Sequence, residues 1–423
     1  MKEELLYFIW KFQYFNTKNL STTQKVGLTI RQAGYQNKQD GADFFMSEIV
    51  LDQVRLIGNV ELHVKTSDWL KHKHQENTHY DSVILHVVWE HDLEKDILRS
   101  DLSPIPTLEL KHLVNSIIIE KYIFLKENTL LIPCQNSWKQ LSQEVKENAL
   151  EHLLKGRLKR KSIDFLTFYT QNGQDLEESN YQILAKSFGF KTNAYAFEQL
   201  SKSISIKIIQ KYSSQLFQIE ALLFGQAGFL ENTLDDYSEK LKKEYDFLKH
   251  KHQLIPIEKN NWIFGKIRPA NSPALRIAQF AALLYSQKAL VMNILKNPSK
   301  NTKSIFEIEA SDYWQQHHDF GKVSQKNWAK LGKNTANLLL INVLCPLLCA
   351  YSELKGEEVF LKNAMTILEN LYAEKNNVMQ IWEKMKFVPK SAAQSQALLE
   401  LYNMLCSQKK CLECPISEHI FGN

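Results

Sequence analysis

The fold class this sequence predicts is an N-terminal α/β (or α+β) domain with an α-β-β-β-α-β core, followed by a large all-α region. Three observations carry that prediction. Runs rich in β-branched and aromatic residues sit early in the chain, bounded by polar turns. From about Asn136 onward Gly and Pro become rare and a 3.6-residue apolar period takes over. At 423 residues the chain is also too long for one ordinary core. The expected domains are residues 1–135 and 136–423, the second ending in a Cys-containing loop, with a sub-boundary near 255–270.

Each element has a local reason. Residues 3–15 form an aromatic-rich amphipathic helix, followed by a short strand at Leu28–Arg31 and a polar connection from Gly34 to Gly41. Phe44–Leu51 and Val54–Lys65 alternate as a hairpin that turns at Asp52-Gln53. Residues 67–75 read as helix with Thr66 or Ser67 as N-cap. Val83–Trp89 is apolar on both faces and therefore a central strand covered on both sides. After Pro104-Ile105-Pro106 comes a last strand, Thr107–Leu110. Helical patterns then cover 138–154, 164–169, 181–188, 194–209, 215–224, 334–352, 360–374, 378–387 and 391–405. Ser272 and Pro273 open another apolar helix in the N-cap and first-turn positions those residues favour.

Composition narrows the function classes. Hydrophobic content of 44% and charged content of 23% are those of a globular protein. A formal charge of +5 permits a nucleic-acid partner without demanding one. Acids follow Met1-Lys2 where a signal peptide needs a basic region, and no window approaches the apolar length that spans a bilayer. No membrane association is therefore expected, and six Cys in a chain this long point to a reducing compartment, the cytoplasm by default. No Walker loop, Rossmann fingerprint, G-x-S-x-G elbow or H-E-x-x-H occurs.

The chemistry concentrates between Gly41 and His91. Asp43 opens one strand of the hairpin, and Glu61, His63 and Lys65 project from one side of the next. Two carboxylates on adjacent strands beside a basic residue suit Mg²⁺ and phosphodiester hydrolysis, although an ordinary charged hairpin can look the same. Glu3 or Glu4 on the first helix could complete the set. Six of the thirteen His lie close by: His63, His72, His74, His79, His86 and His91. His72 and His74 stand two apart on the expected helix and so should not face one another. A Zn²⁺ site from His63, His86 and Asp81 is one reading, and a hydrogen-bonded core role for His86 the other. Asp68 adds a further polar group at the same strand ends.

The element order, with Asp43 as first acid, Glu61 as second and His63 where a Lys is usual, resembles the PD-(D/E)xK nuclease superfamily. Ala42 replaces the Pro of that motif, and Lys65 could stand in for its Lys. The resemblance implies a Mg²⁺-dependent nuclease, with Asp43 and Glu61 as metal ligands and His63 or Lys65 as basic partner. The alternative is a non-catalytic scaffold with a degenerate nuclease-like domain. Over nearly its full length the chain also resembles the domain-of-unknown-function family 2851. That resemblance rests on Gly58–His63, Ser67-Asp68-Trp69 with His72 and His74, Tyr80–Val88, Arg268–Pro273 with Arg276–Gln279, and the terminal Cys. It implies a bacterial protein and supplies no activity.

Two further signals lie outside the hairpin. Cys406-x4-Cys411-x2-Cys414 could hold Zn²⁺ or an iron–sulfur cluster, given a fourth ligand from His419 or a distant Cys such as Cys345. Cys134, Cys345 and Cys349 sit in apolar runs and read as buried small hydrophobes. The basic run Lys155, Arg157, Lys159, Arg160 and Lys161 could contact a phosphate backbone, or be a solvated face. Arg268 and Arg276 flank the helix start at Pro273, where an anion could sit.

Overall fold

Alternating apolar positions in the N-terminal part of the chain build a seven-stranded mixed sheet, seen in a computed structural model that describes residues 1–37, 41–287 and 302–422. Its strands are β1 (Leu20–Ser21), β2 (Gly27–Gln32), β3 (Tyr35–Gln36), β4 (Phe44–Leu51), β5 (Val54–Lys65), β6 (Val83–Glu90) and β7 (Thr107–Glu109). Their order is β1-β2-β4-β5-β6-β7, with β3 pairing β4 off that path. β2, β4 and β5 run antiparallel, whereas β6 and β7 run parallel to β5. Helix α1 (Glu3–Lys11) buries Leu5, Leu6, Phe8, Ile9 and Trp10. The short helix α2 (Asp68–Lys71) makes the crossover from β5 to β6. The α-β-β-β-α-β core is present, extended by β1, β3 and β7. Part of the expected Gly34–Gly41 connection, residues 38–40, lies outside the described residues.

Local backbone chemistry explains where elements begin and end. Asp52 and Gln53 both take positive φ, 45° and 71°, and Leu51 pairs with Val54 across them, a two-residue turn matched to the twist of the strands. Helix α1 stops short of residue 15 because Gln13 turns left-handed at φ 53°. The expected helix over 67–75 is cut in the same way: α2 ends at Lys71, Lys73 has φ 58°, and a separate turn follows at His74–Glu76. Ser67 does occupy the N-cap position, but its hydroxyl donates to Asp92 instead. At Gly58 the parallel neighbour comes so close that a Cβ would lie 2.4 Å from Ile84 Cγ2 and 2.8 Å from the Ser82 carbonyl.

The chain forms two compact units, Met1–Ala149 with Leu399–Asn423, and Leu150–Leu398. The terminal Cys loop thus groups with the sheet, and the expected boundary near 135 falls inside the first unit. That unit also holds α3 (Ser116–Glu127) and α4 (Gln135–Gln140). The 29-residue α5 (Gln143–Gln171) contains the boundary. The helix expected over 138–154 is therefore two, broken at Leu141, whose backbone is extended.

The second unit is helical apart from a small ribbon of β8 (His317–Asp319) and β9 (Lys322–Val323). It carries α6 (Leu176–Phe188), α7 (Ala194–Ser203), α8 (Ile206–Gln210), α9 (Leu216–Gln226), α10 (Asp236–His252) and α11 (Pro273–Ser286). The run expected over 194–209 divides between α7 and α8 because Ile204 is extended and Ser205 caps α8. Helices α12 (Lys333–Leu339) and α13 (Cys345–Lys355) join through a π turn at Leu340–Leu344. Contrary to the expectation that no window is long and apolar enough to cross a bilayer, Lys333–Lys355 is: 23 residues, mean hydropathy 1.6, 72% of its most apolar window buried inside the protein. Then follow α14 (Glu358–Glu369), α15 (Asn377–Lys384) and α16 (Ala392–Glu400). A second π turn, Leu401–Cys406, leads to α17 (Ser417–Phe421) in the first unit.

Glu220 is fully buried on α9 and receives hydrogen bonds from the hydroxyls of Tyr237 and Ser311. Burial pushes its carboxyl up to about 7, more than those donors hold it down.

Two stability outcomes follow. Gly58→Ala is expected to cost about 1–3 kcal/mol in urea unfolding, because the β5–β6 contact must open to admit the methyl group. Because the folded state holds a proton on Glu220 above the ordinary value of 4.5, stability should fall as pH rises from 4.5 to 7. The loss attributable to this group is about 3 kcal/mol. Glu220→Gln should remove that part of the slope, read by urea unfolding at several pH values.

Candidate metal centre

Strand β5 is the axis of the site. Its parity puts Glu61 and His63 on one face, and its parallel register sets Glu61 beside His86. Backbone and side chain interlock across the hairpin: the Asp43 N–H donates to Glu61 Oε2 at 3.0 Å, and the Leu62 N–H donates to Asp43 Oδ2 at 2.9 Å. The Tyr7 hydroxyl, from α1, also hydrogen-bonds Asp43. Burial, then the charge of Glu61, raises the Asp43 carboxyl well above the usual carboxylate range. Glu3 lies close enough to add to that effect, whereas Glu4 turns away to Tyr122 and Lys126.

On its other oxygen Glu61 meets histidines. Oε1 lies 3.4 Å from His74 Nε2 and 3.7 Å from His63 Nε2, and His63 Nε2 lies 3.1 Å from His72 Nδ1. A tetrahedral ion with bonds near 2.0–2.1 Å needs donor atoms about 3.3 Å apart. Three of the six separations, 3.1, 3.4 and 3.7 Å, match that edge length, and Glu61 falls outside the set whose atoms all lie within 4.8 Å of one another. His63, His72 and His74 are, among the described residues, the one set of three or more potential ligands whose atoms lie within 4.8 Å of one another. The expected separation of His72 from His74 is corrected here. The left-handed Lys73 breaks the helix between them and brings their rings to 5.5 Å.

Two of the buried rings are held neutral. Burial, with His74 and His72 nearby, pushes His63 down to about 3, and burial with His63 beside it lowers His86 further below the imidazole range. Neutral imidazoles are the form that ligates metal. His74 Nε2 is buried and has no hydrogen-bond partner in the protein, an orphan that an ion would satisfy. His63 Nδ1 stands 2.9 Å from His86 Nε2, so a proton held there and shared with His86 leaves Nε2 free for an ion. Trp69, wholly buried, fixes the floor: its ring packs on His74 and His86, and its Nε1 donates to the Leu98 carbonyl.

Other candidates fall elsewhere. Lys65 is exposed at the end of β5, on the side where Lys111, and then Lys65, keep the Glu90 carboxyl low. Asp68 accepts from the Lys65 N–H and from Lys71. Asp81 is taken up by Ser100, so the combination of His63, His86 and Asp81 reduces to the two histidines. His91 pairs with Thr66, and His79 is exposed. The basic run does not present one face: Arg157 is buried against Gln396, Lys161 reaches Asn342, and Lys155 pairs with Glu151. Lys159 and Arg160 are exposed. Arg276 is buried and bonded to Asn271 and Gln279, and with Arg268 it lines a cavity of about 290 Å³. Cys406, Cys411 and Cys414 are buried in the first unit, and Cys345 lies in the second. Tyr7 had no signal in the sequence beyond its place on an aromatic helix.

The first unit is therefore a mixed-sheet α/β body carrying a carboxylate–histidine cluster on its central strands. The family described as "Protein of unknown function (DUF2851)" matches residues 3–377, and the chain belongs to it. The match ends before the terminal cysteines. No curated protein and no solved structure matches this chain.

Cobalt titration reads the centre directly. Co²⁺ is expected to give the visible bands of a tetrahedral nitrogen–oxygen site that His74→Ala abolishes. His86→Ala, which removes only the group behind His63, should weaken binding about 10–100-fold.

Proposed function

We propose that this protein is a metal-dependent hydrolase of phosphodiesters, with its centre on Glu61, His63, His72 and His74. The observation that carries this reading is the convergence of His63, His72 and His74, with the Glu61 carboxylate 3.4 Å from His74 and 3.7 Å from His63, beside a second carboxylate, Asp43. The donor set, three imidazoles to one carboxylate, suits Zn²⁺ or Mn²⁺ better than the Mg²⁺ expected from the hairpin alone. A bound ion of this kind polarises a phosphoryl oxygen and lowers the pKa of attached water. Asp43 orients Glu61 through its N–H, and Tyr7 orients Asp43. Exposed His72 is the ligand nearest solvent and the one a substrate would approach. The phosphodiester class is supported by strand order and direction: two antiparallel neighbours, then a helical crossover to a parallel strand, with one acid just before the second core strand and the other on the third, as in the PD-(D/E)xK superfamily.

A second reading has its own observation. Beside the three histidines Glu61 is a fourth protein donor, and four protein donors on one ion are the pattern of structural zinc sites, whereas catalytic sites keep one position open. On that reading the first unit is a metal-stapled scaffold.

Cleavage of labelled single- and double-stranded DNA and RNA with Mn²⁺, Zn²⁺ or Mg²⁺ separates the two. The hydrolase reading expects metal-dependent cutting that drops at least about 100-fold in Glu61→Gln and in Asp43→Ala, in line with loss of a key electrostatic group. Cutting unchanged in both variants would remove the assignment. Metal binding with no cutting on any substrate would favour the scaffold.

A further inference from the structure

The terminal cysteines gain a fourth partner that their spacing does not announce. Cys406 closes the π turn Leu401–Cys406, Cys411 opens a short 3-10 turn, and Cys414 follows it. Tight backbone bonds hold this loop, from the Lys409 N–H to the Cys406 carbonyl and from the Ser417 N–H to the Cys414 carbonyl. Cys134, which its apolar surroundings marked only as a small hydrophobe and which lies 272 residues before Cys406 in the chain (406 − 134), lines one cavity with Ile420, just beyond that loop. All four thiols are buried and free of disulfides. Each of the six pairs among them is close enough for charge on one sulfur to be felt by the other. Neither fourth ligand considered from spacing is needed.

From this convergence we propose that Cys134, Cys406, Cys411 and Cys414 ligate an iron–sulfur cluster. Four thiolates are the usual ligand set of such clusters. A single Zn²⁺ with bonds near 2.3 Å would draw its four sulfurs to about 3.8 Å. No three of these sulfurs lie within even 4.8 Å of one another, since His63, His72 and His74 form the one such set among the described residues. The wider opening suits a polynuclear core. Charge agrees: a cluster with four thiolates is anionic, and Lys126 and Lys409 both act on Cys411, with Lys409 Nζ also donating to the Lys126 carbonyl. The cluster would staple the C-terminal segment to the body it packs on, where Phe421 meets Phe8 and Tyr14 reaches the Glu418 carbonyl. It shares no ligand with the carboxylate–histidine centre, and neither proposal depends on the other.

The test is metal and acid-labile sulfide content of the full chain, purified without oxygen and then reconstituted with Fe²⁺ and sulfide, beside Cys134→Ser and Cys345→Ser. About four iron and four sulfide per chain, with broad visible absorbance, are expected in the wild type and in Cys345→Ser. Both should fall severalfold or more in Cys134→Ser. Because the wild-type content is decisive alone, a poorly folding variant does not blunt the result. Zinc that leaves with Cys134→Ser would overturn the iron–sulfur assignment. A cluster that survives Cys134→Ser would overturn the fourth ligand, and absence of iron and sulfide after reconstitution would overturn the site.

Discussion

The two hydrogen bonds that lock Asp43 to the Glu61–Leu62 segment are the constraint on which the candidate site depends. Each uses a main-chain N–H of one strand and a carboxylate of the other, so neither side chain can swing without unpairing a buried donor. They sit beside the β4 bulge between Phe44 and Ser47, where Met46 turns to φ 56° and the regular ladder is interrupted. Bulges re-aim side chains next to functional sites. Here the carboxylates take over the pairing that the ladder gives up. Glu61 is thereby held with one oxygen toward Asp43 and the other toward the histidines.

Gly58 extends the same logic along β5. The close approach of β6 at that point admits no side chain, and the register it allows places Glu61 beside His86. From His86 the order passes inward to Trp69 and outward to His63. A buried hydrogen-bonded row of neutral rings is costly to desolvate and gains little from itself. It becomes favourable when an ion supplies the positive charge the lone pairs face.

How much of this was legible in the sequence differs by residue. The hairpin, its Asp52-Gln53 turn, and the pairing of Asp43 with Glu61 follow from strand alternation and turn chemistry, which are local. The carboxylate–histidine meeting was half legible. His63 follows from parity on β5, but His72 and His74 were separated by assuming a continuous helix, and Lys73, an ordinary residue in a left-handed conformation, breaks it. Nothing in a Lys announces a positive φ, where a Gly would have. The burial of Arg157 is not legible in the basic run, because clustering of charge says nothing of which side of α5 faces Gln396. Cys134 was illegible for a different reason. Its partners are separated by nearly the whole chain, and periodicity has no reach over that distance.

The two proposed centres stand differently toward one physical problem in the first unit. Its chain segments come from both ends of the sequence, Met1–Ala149 and Leu399–Asn423, so closing it requires bringing remote residues together at an entropic cost that grows with loop length. Rings such as Phe8 and Phe421 supply some of the return. A shared metal ligand set supplies more per residue, because each bond is fixed in length and direction and an ion binds only the folded arrangement. The carboxylate–histidine set instead joins neighbours in sequence, Glu61 to His74, where little loop entropy is at stake. Metal there adds little to closure. Loop entropy thus favours a structural role for the proposed cysteine set and a chemical one for the proposed histidine set, with exposed His72 at its rim.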